Sequence, residues 1–288
     1  MSFRSIAFAF SVAALFPLCA AAQTEAPQYD FQPVAAPVAV SRGEVEIPTN
    51  QEAYFLDHDG ACTMALTEWG WDSCSSIDAF IVFAVPGVDT TLIERPNSDG
   101  YVKLDDWNSS EKNDMVQAIA SDLIRGTVAQ GAAIGQTITF DGWLVEPTLN
   151  TEKNYLYYAT KITWAGDPQI NIKATVFDRR GYVPFSIIPD GIDISPAEVE
   201  ALINATLDQY HPSQTEAYAS FTSGDTVAAV GAVGVLAGLA GLQYGKGAVT
   251  GIAAFFAMLF KSKLAILLLA PFIWIKNLFR RKDRGPDV

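Results

Sequence analysis

Two polar groups in the sequence contain residue types that chemistry could use. His58 lies between Asp57 and Asp59, and Asp105 is followed directly by Asp106. An imidazole beside carboxylates is suited to proton transfer and to metal binding. The same residues also suit a turn that caps a helix, and adjacent acids beside a turn are usually solvated. We therefore keep both groups as candidate sites, with capping and solvation as the alternative interpretation.

No catalytic set accompanies these groups in the sequence. The chain has two histidines, and it has no G-x-S-x-G elbow, no phosphate-binding P-loop and no H-E-x-x-H motif. The second histidine, His211, precedes a proline after a predicted helix, where a cation suits the helix dipole. We predict no catalytic residue, no metal ligand and no cofactor. An envelope hydrolase or metal-dependent enzyme that acts from an acidic cleft is the alternative.

The N-terminal segment has the features of a secretory signal peptide. One basic residue, Arg4, precedes an apolar run that ends in three alanines, which predicts a signal peptide over residues 1–22. Its removal leaves Cys62 and Cys74 in an oxidising compartment, where disulfides form and persist. We predict a disulfide between them, with two free thiols as the alternative, because Cys-x11-Cys is a poor metal pattern.

Charge divides the remaining chain into an acidic part and a basic part. Residues 23–226 hold thirty acidic and ten basic residues, a net charge of −20. Residues 227–288 hold eight basic and two acidic residues, a net charge of +6. An acidic domain repels nucleic acid and anionic lipid head groups. We therefore exclude nucleic-acid binding.

Residues 43–223 have the periodicities of an acidic extracytoplasmic α+β domain. An apolar run at 80–85 predicts a buried strand, and helices are predicted after Asn108 and after Ser195, where Ser-Pro-x-Glu can form a capping box. Pro184 places the last strand of the domain at a sheet edge. Four strands joined by short turns predict an antiparallel meander at 137–145, 155–164, 170–176 and 182–188. The predicted fold class is α+β, an antiparallel sheet meander covered by helices, with a C-terminal membrane-embedded helical region.

The two ends of this domain differ in composition. Residues 23–42 are rich in alanine and proline, which predicts a flexible leader. Residues 224–279 are mostly apolar and predict a membrane anchor region, followed by a basic cytoplasmic tail at 280–288. The simplest arrangement is one crossing at about 227–245 with 248–279 on the inner face. Three crossings are the alternative, because two lysines interrupt the second apolar stretch.

Glycines follow a helical spacing through the first apolar stretch. They are three or four residues apart, at Gly231, Gly234, Gly238, Gly241 and Gly245. Small residues at this spacing let helices approach closely in lipid. The stripe predicts helix packing in the membrane, either as a homo-oligomer or against the following helix. A membrane helix that merely tolerates glycine is the alternative.

Short motifs occur in a characteristic order along the chain. They are Gly100-Tyr101-Val102 before Asp105-Asp106, Gly142-Trp143, Trp164-Ala165, Arg180-x-Gly, Tyr218-x-x-Phe and Thr226-Val227-Ala228-Ala229-x-Gly231. With the apolar tail, this order resembles the uncharacterised bacterial membrane-anchored proteins of domain-of-unknown-function family 2167 over about residues 43–282. The chain departs from that pattern at Trp69-Gly70-Trp71 and in its two cysteines. The resemblance implies a secreted, anchored α+β domain and supplies no reaction or catalytic residue.

The sequence thus predicts a membrane-anchored extracytoplasmic protein with a non-enzymatic binding or scaffold role in the bacterial envelope. Its expected location is the bacterial inner membrane, with the main domain periplasmic or extracytoplasmic and the C-terminal tail cytoplasmic. Its expected partner is the lipid bilayer, contacted by the C-terminal region.

Overall fold

The computed structural model describes residues 29–34, 36–67 and 73–240. The predicted signal peptide, the Trp69-Gly70-Trp71 motif and residues 241–288, which include Gly241 and Gly245, lie outside the described residues.

The described part of the chain forms two antiparallel sheets and four α-helices. Its strands, β1 to β11 in chain order, span Gln32–Val34, Val38–Val40, Gly43–Val45, Ala53–Leu56, Ile77–Val82, Val88–Glu94, Ile138–Asn150, Tyr155–Trp164, Asp167–Asp178, Gly181–Pro189 and Tyr210–Pro212. The helices, α1 to α4, span His58–Thr67, Ser110–Ile134, Pro196–Asp208 and Ala232–Leu239.

A large sheet with the strand order β1-β4-β5-β6-β10-β9-β8-β7 forms the centre of the fold, and a small sheet has the order β11-β3-β2. The predicted meander is confirmed as β7 to β10, each paired with its chain neighbour. The meander is half of the large sheet, because β10 also pairs with β6. The fold is therefore a sheet-dominated α+β fold.

The predicted edge position of Pro184 is wrong, since β10 lies between β6 and β9. The pairing of β10 with β6 is interrupted between a bridge at Asn97–Tyr182 and the pair Phe185–Ile93. Pro184 lies in that interruption, where a missing backbone donor costs no pair with β6, and it stays in register with β9 on its other side.

Part of the segment predicted as a flexible leader is ordered. Strand β1 pairs with β4, and β2 pairs with β3. Val38 is buried in the main core, and Val34 and Val40 pack against it. The high alanine and proline content of this segment predicts no strand, but the side chains of these valines pack on the core once the strands pair. Residues 29–34 and 36–42 therefore belong to the folded domain.

Helices cover both faces of the large sheet. One face packs against α3, whose residues Val199, Ile203 and Leu207 have no exposed surface. The predicted capping box of α3 is present: Ser195 Oγ accepts from the Glu198 amide, and Glu198 Oε2 accepts from the Ser195 amide at 2.7 Å. This backbone hydrogen bond lowers the pKa of Glu198. On the opposite face, α1 packs over β4 to β6, and α2 and α4 pack over the half of the sheet formed by β7 to β10.

The N-cap position of α2 is Ser109, one residue later than the predicted Asn108, and its side chain makes no capping hydrogen bond. Gly135 ends the helix in the left-handed conformation at φ +68°, but Gly131 remains within it. A Cβ at Gly131 would lie 2.5 Å from the carbonyl oxygen of Gln136, so this glycine permits a close approach of the following turn.

In the structure, Cys62 of α1 is bonded to Cys74, with the Cα atoms 5.1 Å apart. Replacing both cysteines with serine is expected to lower the free energy of unfolding by about 3 kcal/mol, because the unfolded chain loses a short cross-linked loop. Urea unfolding without reductant measures this change. Reductant should destabilise the natural protein and leave the double variant unaffected. Equal unfolding of the two proteins without reductant would contradict the expectation.

Candidate functional site

The acid–histidine group forms the start of α1. Asp57 Oδ1 accepts a hydrogen bond of 2.9 Å from the Gly60 amide and so caps the helix. His58 Nδ1 lies 2.7 Å from the carbonyl oxygen of Ile77, which ties the ring to β5. Asp59 lies in the first turn, where an acid suits the helix dipole. The capping residue is Asp57 and not Asp59. Within the described ranges, no three His, Cys, Asp or Glu side chains gather as a metal site.

The second acid group lies at the start of a different helix. Asp106 Oδ1 accepts from the amide of Ala232 at 2.9 Å, and Oδ2 accepts from that of Val233 at 3.3 Å. Asp106 therefore caps α4 across a long stretch of chain. Burial raises the pKa of this carboxyl, and the two amide hydrogen bonds partly oppose the rise. Asp105 stays exposed. The two predicted polar groups thus serve α1 and α4 separately.

Glycines of the predicted stripe lie against residues of the α+β domain. A Cβ at Gly231 would lie 2.3 Å from Asp106 Oδ2, so only glycine leaves room for this cap. A Cβ at Gly238 would lie 3.6 Å from the hydroxyl of Tyr182, and Gly234 is buried. As far as the structure describes the stripe, two of its glycines face residues of the α+β domain.

Helix α4 is part of the core beneath α2. Ala232, Val233, Leu236 and Ala237 have no exposed surface. Among helices in the described residues, none is long and apolar enough to span a bilayer. The predicted crossing at 227–245 is therefore wrong for residues 232–239, which form a helix of eight residues inside the domain. Hydropathy misplaced this segment because a short buried helix and the start of a membrane helix have the same composition.

The chain before α4 joins the domain through backbone hydrogen bonds. The Tyr101 amide donates to the Thr226 carbonyl at 2.8 Å, and the Ala228 amide donates to the Tyr101 carbonyl at 2.9 Å. A Cβ at Gly100 would lie 2.8 Å from backbone atoms of Thr226 and Ala228, which explains the glycine. We name residues 226–240 the docked segment.

Aromatic rings hold the same junction. The Tyr101 ring stacks on Tyr218 at 4.4 Å and on Phe221 at 4.1 Å between centroids. At the other end of α4, the Tyr158 hydroxyl donates to the Leu239 carbonyl at 3.2 Å, and Trp143 contacts Tyr158 edge-on at 5.4 Å. Most of the motifs that carry the family resemblance therefore converge on the docked segment, although they are far apart in sequence.

Three arginine–carboxylate pairs fix the hairpin between β9 and β10 to its surroundings. Arg42 donates to both oxygens of Asp178 at 2.7 and 2.6 Å, and this pair is fully buried. The other two pairs reach the loop before the docked segment. They are Arg179–Asp225 and Arg180–Glu216, each at 2.7 Å. Hydrogen bonds from Arg179 hold the pKa of Asp225 well below its usual range.

A third polar group was missed by sequence reasoning. Lys173 of β9 donates to Ser186 Oγ of β10 at 2.6 Å, and Lys173 Nζ lies 3.8 Å from Glu94 Oε1 of β6. Lys173 and Ser186 are 8 % and 6 % exposed. The apolar alternation along β9 does not show whether Lys173 faces solvent or a second layer of packing. The run of buried residues on both faces of β9 appears only when helices are placed on both sides of the sheet.

Replacing Asp106 with alanine is expected to lower the free energy of unfolding by about 1 kcal/mol, the usual cost of losing a helix N-cap. Asp105→Ala is the matched control, since Asp105 is exposed, and it should change stability little. Urea unfolding of both variants gives the comparison. The capping role would be contradicted if both variants lost the same stability or if neither lost any.

No curated protein matches this sequence. Among solved structures, the chain is similar to the solution structure of cyanobacterial PsbP (CyanoP) from Synechocystis sp. PCC 6803, with 12 % identity and a TM-score of 0.35. That alignment covers 62 % of this chain and 94 % of the other. A likeness at this TM-score establishes neither a shared fold nor a shared function.

The sequence model described as "Protein of unknown function (DUF2167)" matches residues 31–273. This range includes every helix and strand named above, and it confirms the resemblance drawn from the ordered motifs. Because the match covers well over half of the sequence, the chain belongs to the family described as "Protein of unknown function (DUF2167)".

Proposed function

We propose that the protein is an extracytoplasmic binding or scaffold domain tethered to the bacterial inner membrane by the apolar sequence that follows α4. The observation that carries this proposal is the docked segment. Hydrogen bonds, stacked rings and a capped, buried helix fix residues 226–240 to the domain, and the apolar sequence resumes within a few residues of Ala240. A tether attached in this way holds the domain near the bilayer and limits its rotation.

The sequence after the docked segment has the length and charge of a tether. Residues 248–275 are mostly apolar and contain two lysines, and a bilayer crossing needs about 20 residues. Basic residues follow at 276–284, which favours a cytoplasmic location for that end. We therefore place the crossing after residue 240, instead of at 227–245.

The non-enzymatic role is supported by what the candidate side chains do. Asp57 and Asp106 cap helices, and His58 is bonded to a strand carbonyl. Groups held in this way are not directed at a shared substrate position. The hydrolase alternative therefore lacks the cluster on which it depended, as far as the described residues extend.

Fractionation of cells that make the full-length protein tests the tether. The protein is expected to stay in the membrane pellet after alkaline carbonate washing. Protease added outside intact spheroplasts should digest the domain, and an epitope after residue 284 should survive until the membrane is permeabilised. Release by carbonate, or protection of the domain in intact spheroplasts, would overturn the proposal.

Self-association through Gly241 and Gly245 is a separate proposal. Chemical crosslinking in native membranes, with Gly241→Leu/Gly245→Leu as the test variant, should show a dimer that the variant loses. Substituting Gly234 is unsuitable, since this residue is buried in the domain and its change would disturb folding. A natural protein that stays monomeric would remove the oligomer proposal.

A further inference from the structure

The large sheet has a polar strip between its two apolar halves. One row of paired residues crosses the face that carries α1, α2 and α4: Leu92 of β6 pairs with Ser186, Ser186 pairs with Lys173, and Lys173 pairs with Tyr158 of β8. Leu92 belongs to the cluster under α1, and Tyr158 belongs to the cluster under α2 and α4. Lys173 and Ser186 therefore lie at the boundary between the two clusters.

Hydrogen-bond donors in this strip exceed the acceptors. A lysine ammonium has three donors, and in the described part of the chain one of them is used, by Ser186 Oγ. Glu94 Oε1, at 3.8 Å from Lys173 Nζ, is beyond hydrogen-bond distance. Since Ser186 Oγ accepts from Lys173, its own proton is free to be donated, and no described acceptor takes it. Buried polar groups normally have partners, so spare donors here indicate a place for acceptor oxygens from outside.

The strip opens toward solvent on the side of Glu94. The Glu94 side chain is 27 % exposed, compared with 10 % for that of Lys173. Its negative charge also reaches β8, since after burial it is the next cause of the raised pKa of the Tyr158 hydroxyl. A ligand that enters past Glu94 therefore meets a carboxylate first and the ammonium of Lys173 next.

The charges of the surroundings select the class of ligand. Residues 23–226 carry a net charge of −20, which disfavours a simple anion. A zwitterion has no net charge, and its two ends match the two charges of the strip.

We propose that Lys173, Ser186 and Glu94 form a binding site for an α-amino carboxylate. The ligand carboxylate accepts from Lys173 Nζ and Ser186 Oγ, and the ligand ammonium donates to Glu94. Hydrogen bonds of this kind between charged groups are shorter and stronger than neutral ones. The proposal gives a ligand class to the binding role proposed above and rests on that role alone, since it requires no particular membrane topology.

The test uses the full-length protein in detergent and the free amino acids one at a time. At millimolar concentration, at least one amino acid should raise the melting temperature of the natural protein, and calorimetric titration should give its affinity. Lys173→Met and Ser186→Ala should each weaken that affinity about tenfold or more. Lys161→Met is the matched control, because Lys161 is an exposed lysine of β8, and it should bind as the natural protein does.

Separate ligands identify which half of the zwitterion each residue holds. Glu94→Gln should weaken binding of the amino acid and leave the weak binding of acetate unchanged. If Lys173→Met does not fold, Ser186→Ala and Glu94→Gln provide the same comparison, since both are close in size to the natural residues.

Three results would overturn the site. They are no shift with any amino acid, unchanged affinity in Lys173→Met or Ser186→Ala, and equal affinity for acetate and for the amino acid. Binding is measured in detergent, so its failure leaves the membrane tether standing. Equally, release of the protein from membranes by carbonate leaves the site standing.

Discussion

Replacing Arg42 with methionine is expected to lower the free energy of unfolding by about 3–5 kcal/mol, because removal of one partner of a buried ion pair leaves an uncompensated charge. The Arg42 and Asp178 side chains are 5 % and 0 % exposed. Arg42 also donates to the Asn97 carbonyl at 2.8 Å and to Ser98 Oγ. Its loss would leave the buried Asp178 carboxylate without its charged donor and two half-buried acceptors without this partner. Urea unfolding of the full-length protein in detergent, followed by tryptophan fluorescence, measures the change.

The loss of stability in Arg42→Met should depend on pH in a defined direction. Burial already raises the pKa of Asp178, and Arg42 opposes that rise. Without Arg42, the pKa of Asp178 in the folded state rises further above its value in the unfolded state. The destabilisation is then fully present above the folded-state pKa and shrinks as the pH falls toward the unfolded value of about 4, because the folded variant takes up a proton.

Two variants provide controls for this prediction. Arg180→Met removes an ion pair in which the arginine is 57 % exposed, and such pairs contribute about 0–1 kcal/mol. Arg42→Met/Asp178→Leu removes both buried charges and should recover part of the loss. A loss for Arg42→Met no larger than that for Arg180→Met would show that the buried pair does not stabilise the domain.

Replacing Leu236 with alanine is expected to lower the free energy of unfolding by about 3–5 kcal/mol, as for other leucines of a packed core. Leu236 has no exposed surface, and it lies with Met115 and Ile119 of α2 and with Phe177 of β9 in one apolar cluster. The cost arises from lost apolar burial and from the cavity that remains. The same unfolding measurement applies, and Trp143 in this cluster reports the transition.

This prediction separates the two interpretations of residues 227–240. If lipid surrounded this helix, truncating one of its leucines would change the free energy of unfolding of the α+β domain little, since lipid is as apolar as the side chain. Val227→Ala is the matched control: Val227 is 42 % exposed and should change stability by no more than about 0.5 kcal/mol. Equal effects of the two substitutions would mean that α4 is not part of the domain core.

Local signals in the sequence were sufficient for several elements. Ser195, Pro196 and Glu198 define the start of α3 because a capping box depends on residues three positions apart. Short turns at Asp178–Gly181 and at 165–166 join neighbouring strands, so the meander of β7 to β10 follows from its turns. The signal-peptide pattern leaves Cys62 and Cys74 as a pair in an oxidising compartment, which favours the disulfide.

Other features depended on partners distant in the chain. Asp106 was recognised as a polar candidate, but its role as the cap of α4 needs residues 126 and 127 positions away. The burial of Lys173 depends on both layers of helices, and alternation within one strand does not reveal the second layer. The leader valines were overlooked for a similar reason, since three-residue strands gain stability from the sheet they join and have no periodicity of their own.

Sequence reasoning was enough to infer the family, the α+β class, the meander, the α3 cap and the separation of acidic from apolar and basic segments. These follow from composition and from residues close together along the chain, where turn chemistry and side-chain period act. Three features become visible only in the folded molecule: α4 lies within the domain, Pro184 lies inside the sheet, and Lys173 is buried beside Ser186. Each of these depends on which surface covers a side chain, and burial is a property of the packed layers, not of the segment that supplies the residue.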